Sequence, residues 1–267
     1  YAGGRRQLIV PEHNNDSYQW IAQTQQMFAT RQWRVRHVDY DNAPLGRETR
    51  LPSLYCWLLG GAAWVDHAVF GRPIGLAVEH AALWLDPALH AAFLVGTTAV
   101  VAWEFGFFAA ALAALGIATL FPFGGGFIPG APDHRGLVQI VAFWSVLPLA
   151  IGIRRFYAAS APAGRTTRIE PSKKPEGAAR AGFLVAGLMG GIGLWLQAEV
   201  EVTVLAGLTS GALAVALLTR KCGPSTADAP PWRLWALGGC LASLAAYMLE
   251  SFPAHMHFRI EANHPWF

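Results

Sequence analysis

Charged residues are scarce in this chain of 267 residues: Asp, Glu, Lys and Arg make up 14% of it, whereas soluble domains average about 25%. Apolar residues make up 54% and gather into long uncharged stretches. This composition argues against a water-soluble enzyme and excludes a disordered or fibrous chain. The net charge is only +3, and the basic residues lie between apolar runs. That pattern fits the flank of a membrane protein and predicts no nucleic-acid partner.

Cysteine is also scarce, and several common catalytic motifs are missing. The three cysteines, Cys56, Cys222 and Cys240, have no CxxC or metal-ligand spacing, so they say nothing about a redox role. The sequence contains no P-loop, no dinucleotide-binding fingerprint, no HExxH and no GxSxG. Nothing therefore points to the mechanisms that those motifs support.

Six uncharged stretches are long enough to cross a bilayer as helices, which takes about 20 apolar residues. They lie at about 87–103, 105–122, 136–153, 181–198, 202–219 and 234–249. The sequence therefore predicts an all-α integral membrane protein, a bundle of about six transmembrane helices over 87–267. Very short connectors predict antiparallel hairpins for the first and second spans and for the fourth and fifth. Asp86 is predicted to cap the first span, with Pro87 in its first turn.

Charge predicts the orientation of this bundle. The connector 154–180 carries seven basic residues against two acidic ones, and the connector between Arg220 and Arg233 is also basic. Because cytoplasmic loops are enriched in Lys and Arg, both connectors are predicted to be cytoplasmic, the first as a flexible linker. Residues 122–135, 199–201 and 251–267 then fall on the extracytoplasmic side.

The region 1–86 is predicted to be a long first extracytoplasmic segment. Its stretches 51–65 and 73–85 are too short or too interrupted by charge to span, so they are predicted to form interfacial helices with tryptophans at headgroup level. An alternative stays open. If 51–70 spans the membrane, residues 1–50 lie in the cytoplasm, which their seven arginines also fit.

Polar residues on the predicted outer side form candidate sites. Asp16 and Ser17 can cap a helix that follows them. The loop 121–137 is so rich in Gly and Pro that no helix is expected in it, and it ends in Asp133, His134 and Arg135. These three residues fit either a metal or phosphate site or, through Asp133, a simple helix cap.

Other polar and small residues are expected to have structural roles. The segment 251–267, which contains Arg259, resembles an interfacial tail whose histidines lack zinc spacing. His90 is predicted to be a hydrogen-bonded histidine of the bundle. Asp66 and His67 are predicted to be solvated interfacial residues, with a catalytic role for the pair as the alternative. The pairs Gly187 with Gly191 and Gly207 with Gly211 predict close helix packing.

The order of these parts resembles the GT-C superfamily of membrane glycosyltransferases over about residues 12–153. The loop ending GAPDHRG, residues 130–136, is similar to the second-loop motif of bacterial relatives of the oligosaccharyltransferase catalytic subunit. The segment DSYQWIAQTQQMFATRQWRV, followed by Ala43, Pro44, Leu45 and Gly46, resembles the family's first loop. Arg135 departs from the pattern, because a second histidine is usual there.

The resemblance implies a transferase of the bacterial inner membrane. Such enzymes move a sugar or oligosaccharide from a polyprenyl-phosphate-linked donor to an acceptor on the extracytoplasmic side. Asp16 is then the candidate base, and Asp133 and His134 are further catalytic candidates that bind the phosphate or, with Asp16, a divalent cation such as Mg²⁺ or Mn²⁺. Arg135 or Arg259 would bind the phosphate.

A second class of function stays open at this point. The chain could be a non-catalytic GT-C-like membrane subunit, or a lipid-binding or transport protein that keeps the helical scaffold. A transporter is expected to carry charged or broken helices at mid-bilayer and an internal repeat, and the sequence shows neither.

Overall fold

The computed structural model describes residues 15–42, 44–49, 51–160, 175–220 and 230–252. The predicted all-α architecture is confirmed, apart from one two-stranded ribbon. The elements are α1 (Asn15–Thr30), β1 (His37–Val38), β2 (Arg47–Glu48), α2 (Ser53–Phe70), α3 (Ile74–Phe105), α4 (Phe107–Thr119), α5 (Phe121–Gly124), α6 (Arg135–Ser160), α7 (Pro175–Arg220) and α8 (Trp232–Glu250). The chain divides into two compact units, residues 1–139 and 140–267, and the division falls inside α6.

Within the described residues, three helical segments are long and apolar enough to cross a membrane: Ile74–Phe105, Arg135–Ala158 and Gly177–Leu217. Their length and composition support a membrane protein with transmembrane helices. Helix α4 has only 13 residues, fewer than the roughly 17 that a perpendicular span needs.

Helix α3 begins earlier than the sequence predicts. It starts at Ile74, and Pro87 lies inside it. Asp86 therefore caps nothing: its side chain is buried within the unit, at 1% exposure. The charged residues that were expected to interrupt this stretch are accommodated by neighbours, since Glu79 accepts a hydrogen bond from Gln25 and His80 contacts Asp66.

Two helical hairpins meet at the level of Asp86. Gly71, with φ of 66°, ends α2, and the chain returns as the first part of α3, so that Tyr55 lies beside Asp86. Gly106, with φ of 89°, ends α3, and α4 runs back alongside it; positive φ favours glycine at both turns. Because α3 is one continuous helix, the two hairpins extend from Asp86 in opposite directions.

The contacts of α4 confirm the predicted first hairpin. Nε2 of His90 lies 3.1 Å from the carbonyl oxygen of Ile117, and the ring stacks on Phe127 at 4.6 Å. His90 is thus a hydrogen-bonded histidine of the helix pair, as predicted. The loop after α4 differs from the prediction, because Phe121–Gly124 forms one helical turn before the chain becomes irregular.

Helix α1 and the β ribbon cover this unit. Helix α1 packs against α2 and α3, and Gln25 donates a hydrogen bond to the carbonyl oxygen of Gly75. The strands β1 and β2 pair antiparallel, Val38 opposite Arg47. Gly46 precedes β2 with φ of 69° and lies against the backbone of Val38, where a Cβ would come within 2.8 Å of the carbonyl oxygen.

In the second unit, α7 is broken at Gln197, whose φ and ψ are −158° and 92°. The two arms fold back on each other: Glu201 lies against Gly193, and Leu205 lies against Gly190. This is the antiparallel pair that the sequence predicts.

The first arm of α7 packs closely on α8. A Cβ at Gly187 would lie 2.0 Å from the carbonyl oxygen of Trp235, so the predicted glycine packing is confirmed there. It is not confirmed for Gly207 and Gly211, where a Cβ would meet nothing within 4 Å in the described chain.

Candidate active site

The segment before α6 is folded tightly by glycine. Gly136 lies so close to the preceding turn that a Cβ would come within 2.5 Å of the carbonyl oxygen of Gly126 and of the Phe127 ring. Gly130 has a positive φ of 73°. The α6 helix then begins at Arg135, and Val138 donates its amide to the carbonyl oxygen of His134 at 2.9 Å. These contacts hold the loop in place at Asp133, His134 and Arg135, its polar residues.

Asp133 organises the polar residues of this loop. Its Oδ1 lies 2.9 Å from Nδ1 of His134 and accepts the backbone amide of Arg135 at 3.3 Å. Its Oδ2 lies 3.2 Å from Nε of Arg135. Burial raises the pKa of the Asp133 carboxyl, but the hydrogen bond from His134 and the charges of His134 and Arg135 outweigh it, so the pKa lies below its usual value. Asp133 is therefore ionised at neutral pH.

Asp16 reaches the same place from the other end of the unit. It lies in the first turn of α1, where the helix dipole favours a negative charge. Its Oδ2 lies 3.7 Å from Nη2 of Arg135, and the two side chains are 55% and 66% exposed. Asp16 and Asp133 thus flank one exposed guanidinium. The predicted partner of Asp16 in a helix cap, Ser17, is instead buried, and its hydroxyl has no hydrogen-bond partner among the described residues.

The structure therefore brings together four of the five residues that the sequence marks for this site. Asp16, Asp133, His134 and Arg135 form one cluster. Arg259 lies outside the described residues. The alternative that Asp133 is only a helix cap is incomplete, because its carboxylate contacts the His134 ring and the Arg135 guanidinium as well as a backbone amide.

A buried pair that the sequence analysis missed lies beneath this cluster. Asp86 accepts the hydroxyl of Tyr55 at 2.8 Å and the backbone amide of Asp133 at 3.1 Å. Burial and the neighbouring Asp86 raise the pKa of Tyr55, which stays a neutral donor. An aspartate at the edge of an apolar run was the signal that could have revealed this, since such residues are costly in a membrane unless they are paired.

Trp20 joins the two layers of the site. Its ring lies 4.9 Å from that of Tyr55, edge to face, and 5.2 Å from that of His134. It is fully buried. Helix α1 thus directs both Asp16 and, one turn later, Trp20 towards this site, because residues four apart lie on nearly the same face. Asp16 is exposed in the first turn of the helix, and Trp20 is buried.

The expected divalent cation has no matching arrangement of ligands. Nδ1 of His134 is occupied by Asp133, and Arg135 stands between the two aspartates. Over the described ranges, no group of three or more His, Cys, Asp or Glu side chains is arranged to hold a metal ion. Asp16, Asp133 and His134 therefore do not fit a cation site in this arrangement, and the mechanism proposed below uses side chains alone.

A second polar cluster lies at the other end of the α2–α3 pair. Asp66 is not solvated as predicted: it is 2% exposed, its Oδ1 pairs with Arg72, and Nδ1 of His80 lies 2.8 Å from the same oxygen. Burial raises the pKa of Asp66, but the hydrogen bonds from Arg72 and His80 lower it by more than burial raises it. The pKa of Asp66 therefore lies below its usual value. This cluster fixes the turn between the two helices.

Comparisons with protein-family models, with curated protein sequences and with solved structures found no match to this chain.

Proposed function

We propose that this protein is a GT-C-type membrane glycosyltransferase, which moves a sugar or oligosaccharide from a polyprenyl-phosphate-linked donor to an acceptor on the extracytoplasmic side of a bacterial inner membrane. One observation carries the proposal: Asp16 and the Asp133–His134 pair, far apart in sequence, converge on Arg135. The candidate base Asp16 and a cation that can bind a phosphate through two hydrogen bonds thus lie side by side, as displacement at an anomeric carbon requires.

In this mechanism, Arg135 binds the phosphate of the donor. Asp133 holds its Nε at 3.2 Å, which orients the guanidinium while most of the side chain stays exposed. A planar guanidinium can donate two parallel hydrogen bonds to a phosphate and so stabilise its charge as it leaves. Phosphate binding would also replace the long contact with Asp16 and free that carboxylate.

Asp16 then acts as the general base. It takes the proton of the acceptor hydroxyl as the new bond to the anomeric carbon forms and the bond from that carbon to the phosphate oxygen breaks. The released carrier leaves as the polyprenyl phosphate. A base in this position accounts for about 100- to 10,000-fold in rate.

The level of the site along α3 supports a lipid-linked substrate. The 32 residues of α3 extend over about 48 Å at 1.5 Å per residue, whereas the hydrocarbon layer is about 30 Å thick. If residues 87–105 cross that layer, Asp86 and the cluster above it lie at its surface. The exposed Trp103, Phe107 and Phe108 at the far end of this hairpin are then surrounded by lipid or headgroups.

The proposal is tested with the full chain in proteoliposomes that contain a polyprenyl-phosphate-linked sugar. We expect Asp16→Asn to lower the transfer rate about 100-fold or more, with unchanged thermal unfolding. The matched control is Asp39→Asn: Asp39 lies on the same segment, is 93% exposed and pairs with His37. Transfer by Asp16→Asn at the wild-type rate would refute Asp16 as the base.

Substitutions of Arg135 distinguish an active site from a degenerate one. Arg135→Lys keeps the charge but loses the bidentate geometry, so the KM for the donor should rise, and kcat should fall because the leaving phosphate is less well stabilised. If Arg135→His instead improves a metal-dependent activity, Arg135 is a replacement in a damaged site. Donor binding without any transfer by the wild type would favour the non-catalytic alternative.

A further inference from the structure

A polar cavity of about 190 Å³ lies between α1 and the β ribbon. Its lining is mostly neutral and rich in hydrogen-bonding groups: Gln19, Gln23, Tyr40 and Thr49, with the pair Asp41 and Arg47. It is smaller than the roughly 300 Å³ at which pockets for drug-sized ligands begin. It has room for one small hydrophilic group.

The walls of this cavity are held in place before any ligand arrives. Gln23 is 3% exposed and donates a hydrogen bond from Nε2 to Oγ1 of Thr49 at 2.9 Å. Nη2 of Arg47 lies 2.7 Å from Oδ2 of Asp41. A preorganised wall binds without a large ordering cost.

The charge of the lining selects against ionic ligands. Arg47 and Asp41 neutralise each other across 2.7 Å, and the remaining polar groups are amides and hydroxyls. A phosphate would face the Asp41 carboxylate, and an amine would face the Arg47 guanidinium. A neutral molecule with several hydroxyl groups can both donate to and accept from the hydrogen-bonding capacity that these amides and hydroxyls have left.

The cavity and the proposed catalytic base share a face of α1. Asp16, Gln19 and Gln23 follow one another at helical spacings of three and four residues, so they share one face of α1. At 1.5 Å per residue, Gln19 is about 5 Å along the axis from Asp16 and Gln23 about 10 Å. A ring in the cavity would therefore lie along the same helix face as the base.

We propose that this cavity is a carbohydrate subsite, which binds one sugar ring of a transferase substrate through its hydroxyl groups. The inference rests on the proposed function for its biological use, but sugar binding can be measured without transfer. The sugar can belong to the donor or to the acceptor, which share this chemistry.

The direct test is binding of free monosaccharides, glucose and N-acetylglucosamine, to the detergent-purified full chain by saturation-transfer NMR. We expect binding in the millimolar range, weakened about 2- to 10-fold by Gln19→Ala, the loss of one hydrogen bond. Gln26→Ala is the control, because Gln26 lies on the same helix and contacts the carbonyl oxygen of His37 outside the cavity. The proposal would be overturned if neither sugar gave saturation transfer, or if Gln19→Ala and Gln26→Ala weakened sugar binding equally.

Transfer kinetics identify the source of the ring and separate the two proposals. A rise in the KM for the donor alone in Gln19→Ala assigns the cavity to the donor sugar, and a rise in the KM for the acceptor alone assigns it to the acceptor. If the chain transfers sugar but Gln19→Ala changes neither KM, the subsite is wrong while the function stands. If free sugars bind and no transfer occurs, the subsite stands while the transferase proposal fails.

Discussion

Asp86 is the residue on which the placement of Asp133 most directly depends. Its buried carboxylate is the acceptor for both the Tyr55 hydroxyl and the Asp133 amide. Asp86→Leu should lower the free energy of unfolding by about 1–3 kcal/mol for each donor left without a partner, measured by denaturant unfolding in detergent. Asp86→Asn keeps one carbonyl acceptor and should recover part of that loss. Equal stability of Asp86→Leu and wild type would show that these hydrogen bonds contribute nothing.

Acid stability reports on Asp133. Because its pKa is lowered in the folded state, it contributes stability that is fully present above the pKa of about 4 in the unfolded chain. That contribution is lost as pH falls below 4 and through the folded-state pKa. We expect the melting temperature of the wild type to drop more steeply than that of Asp133→Asn as pH falls from about 5 to 2.5. Parallel curves would contradict the lowered pKa.

Residues of the surface cluster were easier to predict than those beneath it. Asp16, Asp133 and Arg135 stand in polar segments, where a charge that has no obvious structural use invites a functional reading. Asp86 precedes a proline at the edge of an apolar run, and that local pattern is also typical of a helix start. Only the packing of α2 against α3, which brings Tyr55 to Asp86, distinguishes a buried hydrogen-bond acceptor from an aspartate that starts a helix.

At the scale of elements, the junction between the loop and α6 depends on Gly136. A Cβ there would come within 2.5 Å of the Gly126 carbonyl oxygen, closer than non-bonded atoms allow. Gly136→Ala should therefore displace the start of α6 and reduce transfer at least about tenfold, since small misplacements of catalytic groups can cost a factor of about 100. Gly124→Ala is the control, because its Cβ would meet nothing within 4 Å. Comparable activity of the two variants would show that the junction can relax.

The sequence predicted a helix boundary correctly only where a long uncharged stretch ends near that boundary. The turns at Gly106 and Gln197 lie within the predicted connectors or next to them, because uncharged stretches end there. The start of α3 did not follow the sequence, since Glu79 and His80 look like interruptions to a lipid-facing helix. In the fold they face Gln25 and Asp66, so this part of α3 satisfies its polar groups within the protein and not in lipid.

At the scale of the whole molecule, the continuous α3 argues against the open alternative in which α2 crosses the same bilayer as the α3–α4 hairpin. The α2 hairpin and the α4 hairpin leave the level of Asp86 in opposite directions. If 87–105 lies in the membrane, α2 lies on the other side of the candidate site, outside that layer. The contact of Asp16 with Arg135 further requires that the first segment and the loop before α6 occupy the same side.

Cysteine labelling tests this topology, and the scarcity of cysteine makes it practical. In a chain whose three cysteines are replaced, Asp39→Cys and Ile128→Cys, at exposed positions, should both react with a membrane-impermeant maleimide on intact spheroplasts. Ser172→Cys, in the basic connector, should react only after permeabilisation, because basic loops stay in the cytoplasm. Labelling of Asp39→Cys and Ile128→Cys from opposite sides would separate Asp16 from Asp133 by a bilayer and so remove the proposed site. Labelling of both from the cytoplasmic side would keep the cluster but place any sugar transfer on the inner face.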